Sequence, residues 1–421
     1  MLDAQRRSAA SGRIRVLAQH LTAGGADKGH VLIAGASGLV GCAAVQHFVR
    51  AGWSVTCLSR RVPDYDLNGA RHILLDLSDR KQCENILGAI SGVTAVVYAA
   101  LPEPGNVDMR SGKTGTKETQ HSTSVILRNF IEPMLQANAA SLKHFSLMNG
   151  TGVYWSYALL DKPYFPSKEI YQVPGGIKRA GHSSRKPVTV FHYALQDILR
   201  QKHAQSEGAW AYTIWTPPLM VGFSAGSSFN LIAPLCVQAA ICKELGQPLQ
   251  YPGPRYGAVC ECLDTRLLAQ GFEWATSADA AKNQTFNLTN GDVFLFENLY
   301  KTVAETFKME LGPPNEQHLG QTMLGSEAVW LKIVEKHDLR KMTLTQLIGG
   351  SWDFFDQVMR FNLHPVSVDN RGIDWGGAAL AGHLSSTIKI RKAGFNDCID
   401  TTDMLLAWIR YAQEEKYIPT Y

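Results

Sequence analysis

The chain has 421 residues, 41 of them basic and 37 acidic, for a formal net charge of +4. Hydrophobic residues make up 45% and charged residues 19%, which excludes a disordered chain; with no Lys/Arg-rich run, the small basic excess gives no case for nucleic-acid binding. At about 100–200 residues per domain the length allows two to three domains, or one large domain with an appended part, and a large core without disulfides or metals.

Residues 1–29 read as a mobile N-terminal tail. Arg6, Arg7, Arg13 and Arg15 against the lone acid Asp3 give it a weak likeness to a mitochondrial presequence, and no secretory signal is visible. His30–Ile33 then opens an apolar, β-branched run that ends in glycines. An apolar helical pattern follows at Leu39, Val40, Ala43, Val45, Phe48 and Val49. Further strands are expected at 54–61, 72–79, 94–101 and 144–150, with helices at Cys83–Ile90 and Ser122–Asn138 and a polar loop at 102–118. This alternation predicts an α/β fold, a Rossmann-type doubly wound parallel sheet with helices on both faces.

Beyond residue 150 the pattern is less regular. Prolines and glycines between 160 and 190 predict a flap at about 155–190. A helix is expected at Val190–Gln205, a strand at 211–222, a buried helix at 229–246 and a strand at 285–292. From about 296 the chain reads as mostly helical: Glu297–Phe307, Ser326–Glu335, Thr343–Phe361 and Thr402–Lys416. The expected organisation is therefore a tail to 29, a dinucleotide-binding domain at 30–295 and a helical C-terminal substrate cap at 296–421.

No charge occurs between Glu207 and Lys243, but Pro217, Pro218, Gly222, Asn230 and Pro234 interrupt the stretch, so it reads as protein interior and not as a membrane span. The eight cysteines are scattered without a CxxC pair. Cys260 and Cys262 have no partners nearby to complete a zinc site, so no metal is expected, and the thiols fit a cytoplasmic protein.

The strongest motif is Gly35-Ala36-Ser37-Gly38-Leu39-Val40-Gly41, a GxxGxxG turn between a strand and a helix. Gly35 permits the tight turn, Gly38 lets backbone approach a pyrophosphate, and Gly41 lets the helix pack on the sheet. The phosphates then sit at the helix N-terminus. The second strand ends in Ser59-Arg60-Arg61 where an NAD site usually carries an acid, so the expected cofactor is NADP(H), with arginine donors for the 2′-phosphate. Asp76 at the end of the third strand is placed either to touch the adenine edge or to cap the turn at Ser78.

The residues at 35–41, 59–61, 75–79, 142–147, 191–199, 229–253, 286–294 and 329–339 resemble those of the progesterone 5β-reductase/iridoid synthase-like family, a branch of extended short-chain dehydrogenases. The resemblance runs from about His30 to Pro419. It implies a hydride transfer from NADPH to the β carbon of an enone or enal, with a tyrosine hydroxyl on the enolate oxygen. The matching tyrosine is Tyr193 in FHYALQDIL. The implied cofactor contacts are Gly35, Ser37, Gly38, Leu39, Val40, Gly41, Ser59, Arg60, Arg61, Asp76, Leu77, Ala100, Tyr193, Pro217, Leu219 and Met220. Candidate substrate contacts are Leu101, Tyr154, Phe223, Phe229 and Trp352, which imply a bulky apolar small molecule such as a terpenoid, steroid or polyketide enone.

The sequence departs from the family on the substrate side. The family's lysine after the fifth strand is matched by Gly152, and no lysine follows before Lys162. Leu101 stands where the family often has tryptophan, and Thr216 where it has arginine. Residues 170–187 are basic where the family is acidic, and 360–386 read as an insertion. Three readings follow: a reductase of an enone or carbonyl, an isomerase or cyclase on the same scaffold, or a cofactor-binding protein without chemistry. The oligomeric state is left open, a homodimer included.

Overall fold

The computed structural model describes residues 28–102, 117–154, 166–172, 191–253, 257, 259–360 and 384–421. Much of the expected tail, flap and insertion, with Lys162, Lys178 and Lys186, lies outside the described residues.

Seven strands form one parallel sheet. In chain order they are β1 (His30–Ala34), β2 (Ser54–Ser59), β3 (Arg71–Leu74), β4 (Ala95–Tyr98), β5 (His144–Met148), β6 (Ala211–Thr216) and β10 (Gln284–Asn287), in the spatial order β10-β6-β5-β4-β1-β2-β3. Between β6 and β10 the chain makes three short strands outside this sheet, of which β7 (Leu219–Val221) pairs in parallel with β9 (Cys262–Asp264), while β8 (Val259–Cys260) pairs antiparallel with β11 (Phe294–Leu295). The helices on the main sheet are α1 (Leu39–Arg50), α2 (Arg80–Leu87), α3 (Lys117–Asn138), α4 (Phe191–Gln205) and, after the buried α5 (Ile232–Glu244), α6 (Thr265–Ser277).

Side chains of β1 alternate between faces. Val31 and Ile33 join the core under α1 and α6, while Leu32 and Ala34 join the core under α2, α3 and α4. Burial on both faces is why these strands read as apolar runs. A third core joins residues 219–262, α5 included, to the C-terminal helices: α7 (Phe296–Thr306), α8 (Leu319–Met323), α9 (Glu327–Lys336), α10 (Leu344–Ile348), α11 (Ser351–Arg360), α12 (Ile388–Lys392) and α13 (Thr401–Glu414). Of these, α12 instead packs Ile390 into the sheet core.

Several expected boundaries are corrected. The third strand stops at Leu74, because Leu75–Asp79 turns into α2, whose start is fixed by Asp79 accepting from the Gln82 amide at 3.0 Å. The expected strand 211–222 is two strands in different sheets, broken by Pro217-Pro218, which cannot donate to a ladder. The expected helix 343–361 breaks at Gly349, whose φ of +57° closes α10. Helix α6 was not expected at all, although Asp264 caps it by accepting from the Arg266 amide at 2.8 Å.

Candidate active site

The sheet order reverses at β1, with β2 on one side and β4 on the other, and the crevice at their carboxyl ends is where doubly wound sheets bind ligands. The glycine turn fills this point. Gly35 has φ +95°, and a Cβ there would lie 2.7 Å from the Ala99 carbonyl oxygen. The amides of Gly35 and Ala36 both donate to Leu58 O at 2.9 Å. At Gly41 a Cβ would lie 2.1 Å from Gly35 O, so glycine lets α1 sit against the turn. Gly38 is the extended N-cap of α1 and makes no side-chain cap, and Leu39 and Val40 begin the helix. Its N-terminus thus fits an anion better than an ordinary helix end would.

Ser37 and the β2 end lie beside this turn. Ser37 O accepts from Ser224 Oγ at 3.0 Å and from Arg61 Nη2 at 3.4 Å. A cavity of about 370 Å³ there is lined by Ser37, Arg61, Asp64, Ser224, Gly226 and Lys341, among others. Burial first, and then the neighbouring charge of Arg60, lower the pKa of Arg61 against a smaller opposing pull from Asp64. Ser59 faces inward: its hydroxyl donates to Arg61 O at 2.7 Å and meets His72 Nε2 at 2.8 Å, so it shapes the arginine turn. Asp76 accepts from the Ser78 amide at 2.9 Å, which is the turn-capping alternative, and Leu77 is buried.

Ala100 and Leu101 follow β4, with Leu101 exposed. Across the sheet, Pro217 O accepts from Thr151 N at 3.1 Å, tying the turn before β7 to the 3-10 turn Thr151–Tyr154. Leu219 and Met220 lie on β7, and Met220 packs against the core under α1. Tyr193, near the start of α4, forms a small buried cluster with Val153 and Tyr154, and its hydroxyl donates to Val153 O at 2.7 Å.

Tyr154 leads into a polar network that sequence patterns gave no sign of. Its hydroxyl donates to Asn287 Oδ1 at 2.7 Å and accepts from Gln172 Nε2 at 3.0 Å. Thr216 Oγ1 lies 2.7 Å from the same Asn287 oxygen, and Gln196 donates to Gln172 Oε1 at 3.3 Å. Asn287 Nδ2 donates to Ser167 O at 3.0 Å and to Ser386 O at 3.2 Å, and Glu169 Oε1 accepts from Asn287 N at 2.8 Å. The resemblance implies a lysine at Gly152 and an arginine at Thr216; here the carboxyl ends of β6 and β10 carry amides and hydroxyls instead.

The remaining substrate candidates sit with the third core. Phe223 is buried against Tyr417 at 4.8 Å and Tyr411 at 5.8 Å, Phe229 stands edge-on to Phe354, and Trp352 packs against Phe355. Tyr154 and Tyr193 are therefore brought together, while Phe223, Phe229 and Trp352 belong to the helical lobe.

Glu261 was also missed. It is buried between β8 and β9 and accepts from Ser385 N at 2.9 Å and Ser385 Oγ at 2.7 Å. Ser385 in turn bridges to Ser167, so this carboxyl anchors the strap that carries the Asn287 contacts. Burial pushes its pKa from 4.5 up to about 7. Because folding raises it, its stabilising contribution is full below 4.5 and is lost as pH climbs to about 7. The charged form then costs about 3 kcal/mol at pH 8. Glu261→Gln should raise the melting temperature at pH 8 and change it little at pH 4.5. An equal shift at both would show that the carboxyl is not desolvated.

Among the described residues there is no helix long and apolar enough to cross a membrane and no metal-holding cluster. Residues 31–146 match the NAD dependent epimerase/dehydratase family. The fold is similar to that of UDP-glucose 4-epimerase from Thermotoga maritima, with a TM-score of 0.59 at 12% identity over 91% of this chain and 99% of that one. It is also similar to vestitone reductase from alfalfa, with a TM-score of 0.54 at 13% identity over 93% of this chain and 100% of that one. The sheet order and glycine turn are those of the short-chain dehydrogenase/reductase-type fold with its nicotinamide cofactor, and the relatives that follow make the class an oxidoreductase, isomerase or cyclase chemistry included. An (S)-8-oxocitronellyl enol synthase from Nepeta cataria is 27% identical over 406 residues, 92% of this chain and 91% of the relative. A 3-oxo-Delta(4,5)-steroid 5-beta-reductase from Arabidopsis thaliana is 26% identical over 401 residues, 92% of each chain. Within its class the chain is thus similar, over nearly its whole length, to enzymes of the progesterone 5β-reductase and iridoid synthase kind.

Proposed function

We propose that this protein is an NADPH-dependent reductase of a bulky apolar enone or enal. The observation that carries the reading is Tyr193, a buried hydroxyl that clusters with Tyr154, from which a polar network runs to the carboxyl ends of the strands. NADPH, when bound, supplies a hydride to the β carbon. The open N-terminus of α1 holds the pyrophosphate, and Arg60 and Arg61 take the 2′-phosphate. Tyr193 releases Val153 O and donates to the substrate oxygen as enolate charge develops there. Water then protonates the α carbon.

The absence of a lysine at Gly152 favours this step over ketone reduction. An enolate needs a hydrogen bond, whereas an alkoxide needs a full proton, and Gly152 supplies no cation to help deliver it. The test is purified protein with NADPH and a panel of bulky enones, enals and ketones, following NADPH absorbance and product mass. NADPH loss with a gain of two hydrogens on an enone supports the reading. A rearranged product of unchanged mass supports the second reading, an isomerase or cyclase, which the glycine at 152 favours.

Arg60→Ala combined with Arg61→Ala should weaken NADPH binding about 10–100-fold and NADH binding far less, because only NADPH carries the 2′-phosphate. Titration of both cofactors by fluorescence checks this. Equal losses would place the arginines elsewhere.

A further inference from the structure

We propose that His192 stands in for the lysine absent at position 152, as an uncharged imidazole that hydrogen-bonds the bound dinucleotide beside Tyr193. The inference rests on the cofactor reading above.

Space makes the first argument. A Cβ on Gly152 would lie 2.6 Å from His192 Nε2 and 2.8 Å from Cδ2, and one on Gly150 would lie 3.6 Å from Cε1. The imidazole lies across the turn from which a lysine would have to start. Glycine at 152 and histidine at 192 are therefore a matched pair.

Unmet hydrogen bonding makes the second. His192 Nδ1 is buried without a partner, and neither ring nitrogen bonds a described residue. Asn149, whose Nδ2 donates to His192 O at 3.3 Å, leaves its own Oδ1 buried and unpartnered. Buried polar atoms without partners are costly, and a ligand with a donor and an acceptor would satisfy them. The ring itself is held by Phe191, whose centroid lies 4.1 Å away.

Charge makes the third. Burial pushes the His192 pKa down to about 3, so the ring is neutral at working pH. One nitrogen donates and the other accepts, which suits a ribose hydroxyl or a carboxamide. The lysine's hydrogen-bonding role is kept and its positive charge is not.

The experiment uses the full chain and His192→Phe, which keeps a ring against Phe191 and removes both nitrogens. The readouts are the NADPH dissociation constant by fluorescence and the melting temperature without cofactor. The expected result is an NADPH constant raised about 10-fold with a melting temperature that does not fall. An unchanged constant overturns the inference while leaving the cofactor reading intact, whereas failure of the parent protein to bind NADPH overturns both. Gly152→Lys tests the pairing: alone it should lower the melting temperature, and with His192→Ala it should recover. If Gly152→Lys alone melts like the parent, His192 does not occupy the lysine's place.

Discussion

Gly41→Val should leave no folded, dinucleotide-binding protein. The added Cβ would stand 2.1 Å from Gly35 O, 2.6 Å from Gly35 C and 2.8 Å from Ala36 Cα, all backbone atoms. A flexible side chain could move aside, but these atoms cannot. The Gly35 and Ala36 amides are fixed by Leu58 O, and α1 is wedged between the sheet and α6. Relief requires lifting α1 from the sheet and exposing Val40, Ala44, Val45 and Phe48. Losses above about 4–5 kcal/mol compare with a total stability of about 5–15 kcal/mol. Gly38→Ala is the control: its Cβ would lie 3.4 Å from Gly35 O, ordinary contact, so the chain should fold while dinucleotide affinity falls. Soluble yield, thermal melts and NADPH titration check both. A Gly41→Val protein that melts near the parent would mean that the turn and helix are not locked as described.

The part of this arrangement visible in sequence is the local part. Strands buried on both faces print apolar runs, and a strand–glycine–helix junction prints its glycines, so the sheet, the turn and the arginines at 60–61 could be read directly. Ends set by a single contact were less legible: Asp79 starts α2 three residues before the apolar pattern does, and Gly349 ends α10 inside a stretch with helical periodicity throughout. Helix α6 carries a weaker signal, an aspartate N-cap just before an apolar run, interrupted by Gly271 in its middle, where a Cβ would lie 3.0 Å from the Trp215 ring. The polar network was not legible by any local rule. Tyr154 and Asn287 are 133 residues apart, and Glu261 and Ser385 are 124 apart. Such pairings are selected by burial, where every donor needs an acceptor, and burial is decided by the fold. The same holds for His192, whose meaning comes from the glycine across from it.

Tyr193→Phe should cut turnover about 10²–10³-fold, the range for removing one preorganised oxyanion donor. It should leave NADPH affinity and the melting temperature near the parent's, because the ring keeps its place against Val153 and Tyr154. The hydroxyl's present bond to Val153 O is a neutral hydrogen bond at 2.7 Å, worth about 1 kcal/mol net. That number separates two roles. If the hydroxyl exists to tie α4 to the Thr151–Tyr154 turn through Val153 O, its loss removes that bond, so stability falls by about 1 kcal/mol and turnover hardly changes. If it exists to meet an enolate, stability hardly changes and turnover collapses, because the bond to Val153 only parks the proton between cycles. Single-turnover rates with NADPH, read beside thermal melts of the same samples, decide between them. An unchanged rate with a lowered melting temperature would make Tyr193 a packing residue, and the chemistry would have to be sought among Tyr154, Asn287 and Gln172, the groups that already converge at the ends of β6 and β10.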